Sequence, residues 1–147
     1  YLGMTGSHFC NPDGIHDEDH YMCIQDLMLL GKLSLENPAV MEVTSLSTAK
    51  AEFVYTAQRS SNYYYYGMDS AGNINWTNTN KLIDKESEYY CPFATGLKTG
   101  TTSAAGNCLL SAFKEKDGVY IIGVFGCPEK EDRFDDTLQL FNETIGK

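Results

Sequence analysis

The chain is short of basic residues. Its 147 residues include 11 Lys and Arg against 20 Asp and Glu, a formal net charge of -9. No Lys/Arg cluster could neutralise phosphates, which argues against nucleic acid as a partner. Long apolar runs are also lacking, since a membrane-spanning helix needs about 20 apolar residues. No basic-then-apolar leader opens the chain. Because Tyr1 is not methionine, we expect an engineered, processed or partial chain.

Metal-binding patterns are absent as well. The sequence has no Cys-x-x-Cys and no Cys/His spacing typical of zinc, so we expect no metal site and no cofactor. The three histidines of the first 20 residues lie among acidic residues but fit no tight ligand pattern, which favours a solvated loop. Five cysteines leave at least one thiol free. Cys108 and Cys127 lie in apolar runs, so we expect them to act as small buried hydrophobes.

What is present suits one folded domain, because 42% of the residues are hydrophobic. Apolar spacing predicts a helix over 22–35 and another over 131–145, with a short helix over 39–43 after Pro38. Two apolar strands, 107–113 and 119–126, flank an Asp-Gly turn and are predicted to pair as an antiparallel hairpin. The order of these elements indicates an α+β fold. The predicted core faces are Ile24, Leu27, Met28, Gly31 and Leu35, and Phe134, Leu138, Phe141 and Ile145.

The middle of the chain changes to a strand pattern over 45–66, which is rich in β-formers. Residues 63–73 then look like a hairpin excursion. Its four tyrosines, 63–66, are typical either of a sugar- or partner-binding platform or of an exposed loop or strand edge. Residues 76–83 follow, and an acidic linker leads on to Tyr89.

The stretch from Gly96 to Leu109 combines residue types that suit a binding cleft. It begins as an apolar/polar alternation, becomes a row of small hydroxyl residues and turns at Ala105-Gly106. Lys98 supplies a positive charge, Thr99 a donor and acceptor, and Gly100 room for another backbone. This pattern predicts an edge strand that lines a cleft.

Together with its surroundings, this stretch resembles the serine-type D-alanyl-D-alanine carboxypeptidases, the low-molecular-mass penicillin-binding proteins that trim peptidoglycan. Their third signature is Lys-Thr-Gly. Segments from end to end of the chain match in family order: Leu2–Thr5 with His8–Asp17, Asp26–Lys32, Asn78–Ile83, Gly96–Leu109, Ile122–Val124 and Arg133–Asp135.

The resemblance implies a β-lactamase/transpeptidase-like fold, an antiparallel sheet flanked by helices. It also implies an extracytoplasmic location in the cell envelope. The implied ligands are peptidoglycan stem peptides and β-lactams, and the implied reaction proceeds through an acyl-enzyme.

The same resemblance implies a role for each residue of the Lys-Thr-Gly strand. Lys98 would place charge near the substrate carboxylate and the active-site hydroxyls, and Thr99 would bond that carboxylate. Gly100 would let the peptide lie along the strand. The backbone N–H of Thr101 would be one oxyanion donor. Arg133 would reach toward the substrate carboxylate.

Three positions carry alternatives or departures from the family pattern. Arg133 is as consistent with a surface ion pair to Asp132 or Asp136 as with substrate binding. Asp13 stands where many relatives have a histidine, so a histidine-dependent role is not expected there. Met22 and Cys23 replace small hydroxyl residues, which predicts a weaker N-cap for the helix that follows.

The resemblance also implies an absence. In the family, the serine of Ser-x-x-Lys and the later Ser-x-Asn motif lie upstream of the segment at which this chain begins. We therefore expect residues 1–147 to be a partial domain without its nucleophile, inactive alone. Ser47–Lys50 and Ser60–Asn62 fit the two missing patterns, but Ser47 lies in a predicted strand entry. The nucleophile needs a helix start, with lysine one turn later.

Two hypotheses follow for the chain. It is either part of a serine carboxypeptidase, whose missing N-terminal part completes the domain, or a non-catalytic binding module derived from that fold. Without the missing part, we expect apolar surface on Leu97, Leu109, Val124 and the helix over 22–35 to be exposed. Self-association or poor stability would result.

Overall fold

In a computed structural model, which describes residues 2–52 and 73–145, the chain forms a mixed α+β fold. The predicted fold class is confirmed. The helices are α1 (Ile24–Glu36), α2 (Pro38–Thr44) and α3 (Asp132–Thr144), and Lys81–Ile83 forms a 3₁₀ turn. The strands are β1 (Thr48–Glu52), β2 (Asn73–Thr77), β3 (Ala94–Thr102), β4 (Gly106–Glu115) and β5 (Gly118–Cys127).

The centre of the fold is an antiparallel sheet in the order β3-β4-β5. The predicted hairpin over 107–126 is confirmed as β4 and β5, which start one residue earlier and end later. Glu115 and Gly118 pair across the turn. β3 pairs with β4 alone among the described strands, which makes it an edge strand of this sheet.

The α3 side of this sheet carries the larger core. Phe134 and Phe141 of α3 pack on Leu109, Phe113 and Ile122 of the sheet, and Phe113 and Phe141 stack at 4.7 Å. The remaining predicted α3 residues, Leu138 and Ile145, pack against the same cluster. The predicted stripe of this helix is therefore confirmed.

The other face of the sheet is covered by α1. Leu27 packs on Leu97, Leu110 and Ala112, with Met28 and Leu35 beside them. Gly31 is buried as predicted and lies close to Ile121 and Leu110. Ile24 is 38% exposed at the first turn, so its predicted place in the core is only partial.

The prediction of exposed sheet residues was wrong in part. Leu97 and Leu109 are only 3% and 1% exposed, because α1 and α3 cover the two faces from within the chain. Val124 packs against the α3 core. The α1 part of the prediction holds, since Leu29 is 41% exposed.

A separate two-stranded sheet pairs β1 with β2. Ser47 immediately precedes β1, and its carbonyl accepts the N–H of Asn78 at 2.8 Å. Ser47 therefore does not begin a helix, as the nucleophile of Ser-x-x-Lys requires. Three predicted segments lie mostly or wholly outside the described residues: the strand over 45–66, the excursion over 63–73 and the motif over 60–62.

Candidate active site

β3, the candidate substrate-binding strand, begins with an irregularity in its pairing. The pairing of β3 with β4 shifts between Ala94 and Gly96. Gly96 has φ 132°, and Leu97 follows with φ 77°, a left-handed conformation that is rare for a branched side chain. Leu97 is nevertheless only 3% exposed, so packing holds it there. This local change of the backbone sets the direction in which the side chain of the next residue, Lys98, projects from the strand.

Two buried side chains fix this irregularity from outside the strand. The carbonyl oxygen of Gly96 accepts from Asn80 Nδ2 and from Ser111 Oγ, each at 3.1 Å. Both Asn80 and Ser111 have no exposed surface. Asn80 also accepts the N–H of Leu82 at 3.1 Å, which ties the 3₁₀ turn to β3. Contacts from the 3₁₀ turn and from β4 therefore hold the backbone conformation of the residues that precede Lys98.

Lys98 and Gly100 are exposed on the strand and border a cleft of about 1000 Å³. Lys98 Nζ donates to the carbonyl oxygen of Thr99 at 2.6 Å. An added Cβ at Gly100 would meet no atom within 4 Å, so this position leaves open space along the strand. Among the cleft-lining residues that the structure describes, Lys98 is the one lysine or arginine.

Thr99 lies differently from its neighbours. Its side chain is 6% exposed, and its hydroxyl bonds that of Thr79. A hydroxyl that bonds Thr79 keeps either its two lone pairs or its proton and one lone pair for further partners. Sequence reasoning placed Thr99 on a substrate carboxylate without anticipating Thr79, whose contact no local pattern signals.

Arg133 is buried beside the far end of β3. It is 7% exposed, and its Nη1 donates to Thr101 Oγ1 at 3.2 Å. The surface ion pair considered for Arg133 is wrong, because Arg133 is buried and no ion pair joins it to Asp132 or Asp136 among the described residues. The arginine thus lies against the strand that carries Lys98.

The opposite wall of the cleft is a loop over residues 8–21, which we name the cleft loop. Its ends are joined by two backbone hydrogen bonds between His8 and Tyr21, at 2.8 and 3.0 Å. Asp13 and Asp17 lie on this wall. The backbone N–H of Asp19 and the thiol of Cys10 lower the pKa of Asp17, so that carboxylate is charged at neutral pH. A negative charge therefore lies among the residues that line the same cleft as Lys98.

The two residues just before the cleft loop are joined to α1 by a buried carboxylate. Asp26, 4% exposed, accepts the N–H of Gly6 and the hydroxyl of Ser7, each at 2.8 Å. Ser7 Oγ in turn accepts the N–H of Cys23, the N-cap residue, at 3.3 Å. Cys23 makes no side-chain cap bond, as the sequence predicted. A serine from the preceding segment therefore satisfies the backbone N–H of the N-cap residue, one of the donors that a helix leaves without an intrahelical partner.

We expect Asp26→Ala to destabilise the chain by about 2 kcal/mol, because it removes the shared acceptor of two part-buried hydrogen bonds. Hydrogen exchange should rise first in Gly6, Ser7 and the cleft loop that follows them, because their hydrogen bonds to α1 are lost. Chemical denaturation and exchange mass spectrometry measure the two effects. Asp19→Ala, an exposed carboxylate of the same loop, should change stability by less than about 0.5 kcal/mol. Equal effects of both variants would contradict the role given to Asp26.

The cysteines are all free thiols. Cys127 is 4% exposed, and burial, followed by its hydrogen bond to Asp136, raises the pKa of its thiol. Its predicted role as a small buried hydrophobe is confirmed. Cys108 is only partly buried and lines the cleft, so the same prediction was incomplete for it.

A second depression of about 310 Å³ adjoins the cleft on the α1 side of Lys98. Its walls are mainly apolar residues of α1, α2 and the sheet: Leu27, Leu30, Val40, Leu97, Leu110 and Phe125. Phe125 is 44% exposed.

None of the helices within 2–52 and 73–145 has the length and apolarity to cross a membrane.

Solved structures of penicillin-recognising enzymes share this architecture. The DD-transpeptidase of Streptomyces K15 matches with a TM-score of 0.79 at 24% identity, over 99% of this chain and 50% of that chain. Penicillin-binding protein D2 of Listeria monocytogenes, in its cefotaxime-bound form, matches with a TM-score of 0.71 at 26% identity, over 96% and 49%. The fold is thus part of a DD-peptidase fold.

The family follows from the sequence comparison. The family model for D-alanyl-D-alanine carboxypeptidases, peptidase family S11, matches residues 1–128. The chain belongs to this family. The carboxypeptidase DacF of Bacillus subtilis is 28% identical over 133 residues, 90% of this chain and 29% of that protein. The chain therefore spans under a third of this curated relative and about half of the solved ones.

Proposed function

We propose that this chain is the substrate-binding part of a serine D-Ala-D-Ala carboxypeptidase that trims peptidoglycan stem peptides in the cell envelope. The observation that carries the proposal is the geometry of β3. An exposed lysine and an unobstructed glycine lie in sequence on an edge strand, at the border of a large cleft. An extended peptide adds to such an edge by backbone hydrogen bonds, and Gly100 leaves room for it.

In this proposal, the residues of β3 act on the peptide terminus and on the reacting carbonyl. Lys98 supplies positive charge beside the carboxylate and the active-site hydroxyls, and Thr99 and Arg133 bind the carboxylate end. The backbone N–H of Thr101 donates to the oxyanion that forms when a serine attacks the carbonyl. That intermediate collapses to an acyl-enzyme as its bond to D-alanine breaks and D-alanine leaves, and water then hydrolyses the ester. β-Lactams acylate the same serine.

The proposal assigns that serine to an N-terminal part of the same domain, which the 147-residue chain does not include. The apolar depression beside Lys98 supports this assignment, because it is open and lined mostly by carbon. α1 and α2, which contribute to its walls, also carry exposed apolar residues, with Leu33 38% and Val43 69% exposed. Covering such surface is favourable by about 25 cal/mol per Å². Without the covering part, this face is where the chain would associate with itself.

The test is covalent labelling with a fluorescent penicillin, read by intact mass. We expect no adduct on the 147-residue chain. The coding sequence upstream of Tyr1 should contain Ser-x-x-Lys, and the longer product should be labelled stoichiometrically at that serine. Lys98→Ala in the longer product should slow labelling by about 100-fold or more. Lys114→Ala, an exposed lysine on β4, should leave the rate unchanged.

Two results would overturn the proposal. A stoichiometric adduct on Ser47 of the 147-residue chain would make this chain a complete enzyme by itself. An upstream sequence without a serine motif would leave a non-catalytic binding module of the same fold.

A further inference from the structure

For each hydrogen bond around Thr101, only one assignment of donor and acceptor is possible. Asn107 stands opposite Thr101 in the β3-β4 register and opposite Cys127 in the β4-β5 register. Asn107 Nδ2 donates to the carbonyl oxygens of Cys127 and Pro128, both at 3.1 Å. Both amide protons are then used, which fixes the amide orientation: a flipped amide would set its oxygen against two carbonyls.

This orientation decides which way the Thr101 hydroxyl points. Asn107 Oδ1 must face Thr101, and it accepts from Thr101 Oγ1 at 3.1 Å. A hydroxyl has one proton, so Thr101 is left with lone pairs alone for its other partner. That partner is the guanidinium of Arg133, which can only donate. The three side chains thus form a polarised chain from the Cys127–Pro128 carbonyls to Arg133.

The Arg133 end of this hydrogen-bonded series has an unused donor. Arg133 Nε is buried and has no hydrogen-bond partner among the described residues. The face of Phe134 lies 4.9 Å from Arg133 Cζ, which restricts the plane of the guanidinium further. An unpartnered buried N–H is costly, and a carboxylate is the partner that a guanidinium matches best.

We propose that Asn107 is a positioning residue, which holds the Thr101 hydroxyl as an acceptor and through it orients Arg133 toward the carboxylate end of the cleft. This inference rests on the proposed function, since the carboxylate is that of the proposed substrate. Asn107 itself is 7% exposed and is not among the residues that line the cleft. It acts through Thr101 and Arg133, which need not move when the ligand binds.

The sequence offers a direct readout, because Arg59 and Arg133 are its only arginines. Proton–nitrogen NMR therefore shows two Nε–H signals, and Arg133→Lys assigns them. In the ligand-free 147-residue chain, Thr101→Val and Asn107→Leu should both move the Arg133 signal. Thr101→Ser keeps the hydroxyl and should restore it. Thr95→Val is the matched control, since Thr95 on the same strand bonds only a β4 carbonyl, at 3.3 Å.

The second measurement titrates the same signal with N-acetyl-D-alanyl-D-alanine and with its C-terminal amide. We expect the carboxylate form to shift the Arg133 signal and the amide not to. Thr101→Val should weaken that binding by about tenfold, the value of one hydrogen bond to a charged group.

The outcomes separate the two proposals. An unmoved Arg133 signal in ligand-free Thr101→Val would overturn the positioning role, whatever the ligand does. In a second outcome, the variants move the Arg133 signal but the wild-type protein responds equally to the acid and to the amide. That result would support the hydrogen-bonded series Asn107–Thr101–Arg133 and overturn its role in binding a carboxylate. If Asn107→Leu fails to fold, the exposed Thr101 still decides, because Thr101→Val removes the hydroxyl that Thr101→Ser keeps.

Discussion

Gly96→Ala is expected to destabilise the chain by about 3–5 kcal/mol. A Cβ at this position would lie 2.6 Å from the carbonyl oxygen of Thr44 and 2.9 Å from its carbon. Both are backbone atoms at the end of α2, so the overlap is relieved only by moving that helix. The φ of 132° adds to the cost, because it is a conformation that L side chains rarely adopt.

The matched control is Gly100→Ala, four residues along the same strand. Its added Cβ would meet nothing within 4 Å, so we expect stability to be unchanged or raised by up to about 1 kcal/mol. Urea denaturation followed by far-UV circular dichroism measures both variants. A Gly96→Ala chain within about 1 kcal/mol of wild type would show that α2 can move away from β3 at little cost.

The same comparison bears on the site, because Gly96 stands two residues before Lys98. Its carbonyl is held by Asn80 and Ser111, and Leu97 takes its left-handed conformation directly after it. A chain that relieves the overlap at residue 96 must turn Leu97 and so redirect Lys98. In the longer protein, penicillin labelling should therefore fall with Gly96→Ala even at temperatures at which the variant is folded.

The sequence was sufficient where a structure is set by neighbouring residues. The β4-β5 hairpin and α3 follow from apolar periods and an Asp-Gly turn, and their bounds agree with the structure within two residues. The absent side-chain cap at Cys23 also follows from residue type alone. Lys98, Thr99 and Gly100 were predicted as site residues from their residue types and from family resemblance, and both kinds of evidence depend on adjacent positions.

The contacts that position these residues lie far apart in the sequence. Thr79 and Asn80 reach β3 from a separate turn, and Ser7 caps a helix that begins after a long loop. No period or spacing encodes such pairs. Arg133 shows the same limit: an arginine in an aspartate-rich segment is usually exposed, and here it is buried, with its guanidinium on the ring of Phe134.

Phe134→Ala is expected to cost about 3–5 kcal/mol, as for other buried phenylalanines. Phe134 has no exposed surface and joins α3 to the sheet core. Its ring also lies 5.2 Å from that of Tyr89 and 5.8 Å from Lys81 Nζ, so it connects the 3₁₀ turn to α3. Truncation leaves a cavity between elements that position Thr79 on one side and Arg133 on the other.

Two variants test whether the loss comes from burial at this position. Phe125→Ala removes the same group from a site that is 44% exposed, and we expect about 1 kcal/mol or less. Phe134→Leu keeps most of the volume and should cost about 1.5 kcal/mol, which gives a measurable value if the alanine variant does not fold. The Nε–H signal of Arg133 should move in both Phe134 variants, because its guanidinium loses the ring it packs on, and stay in place in Phe125→Ala. Equal stability losses at 125 and 134, with an unmoved signal, would mean that α3 is held to the sheet by Phe141 and its neighbours instead.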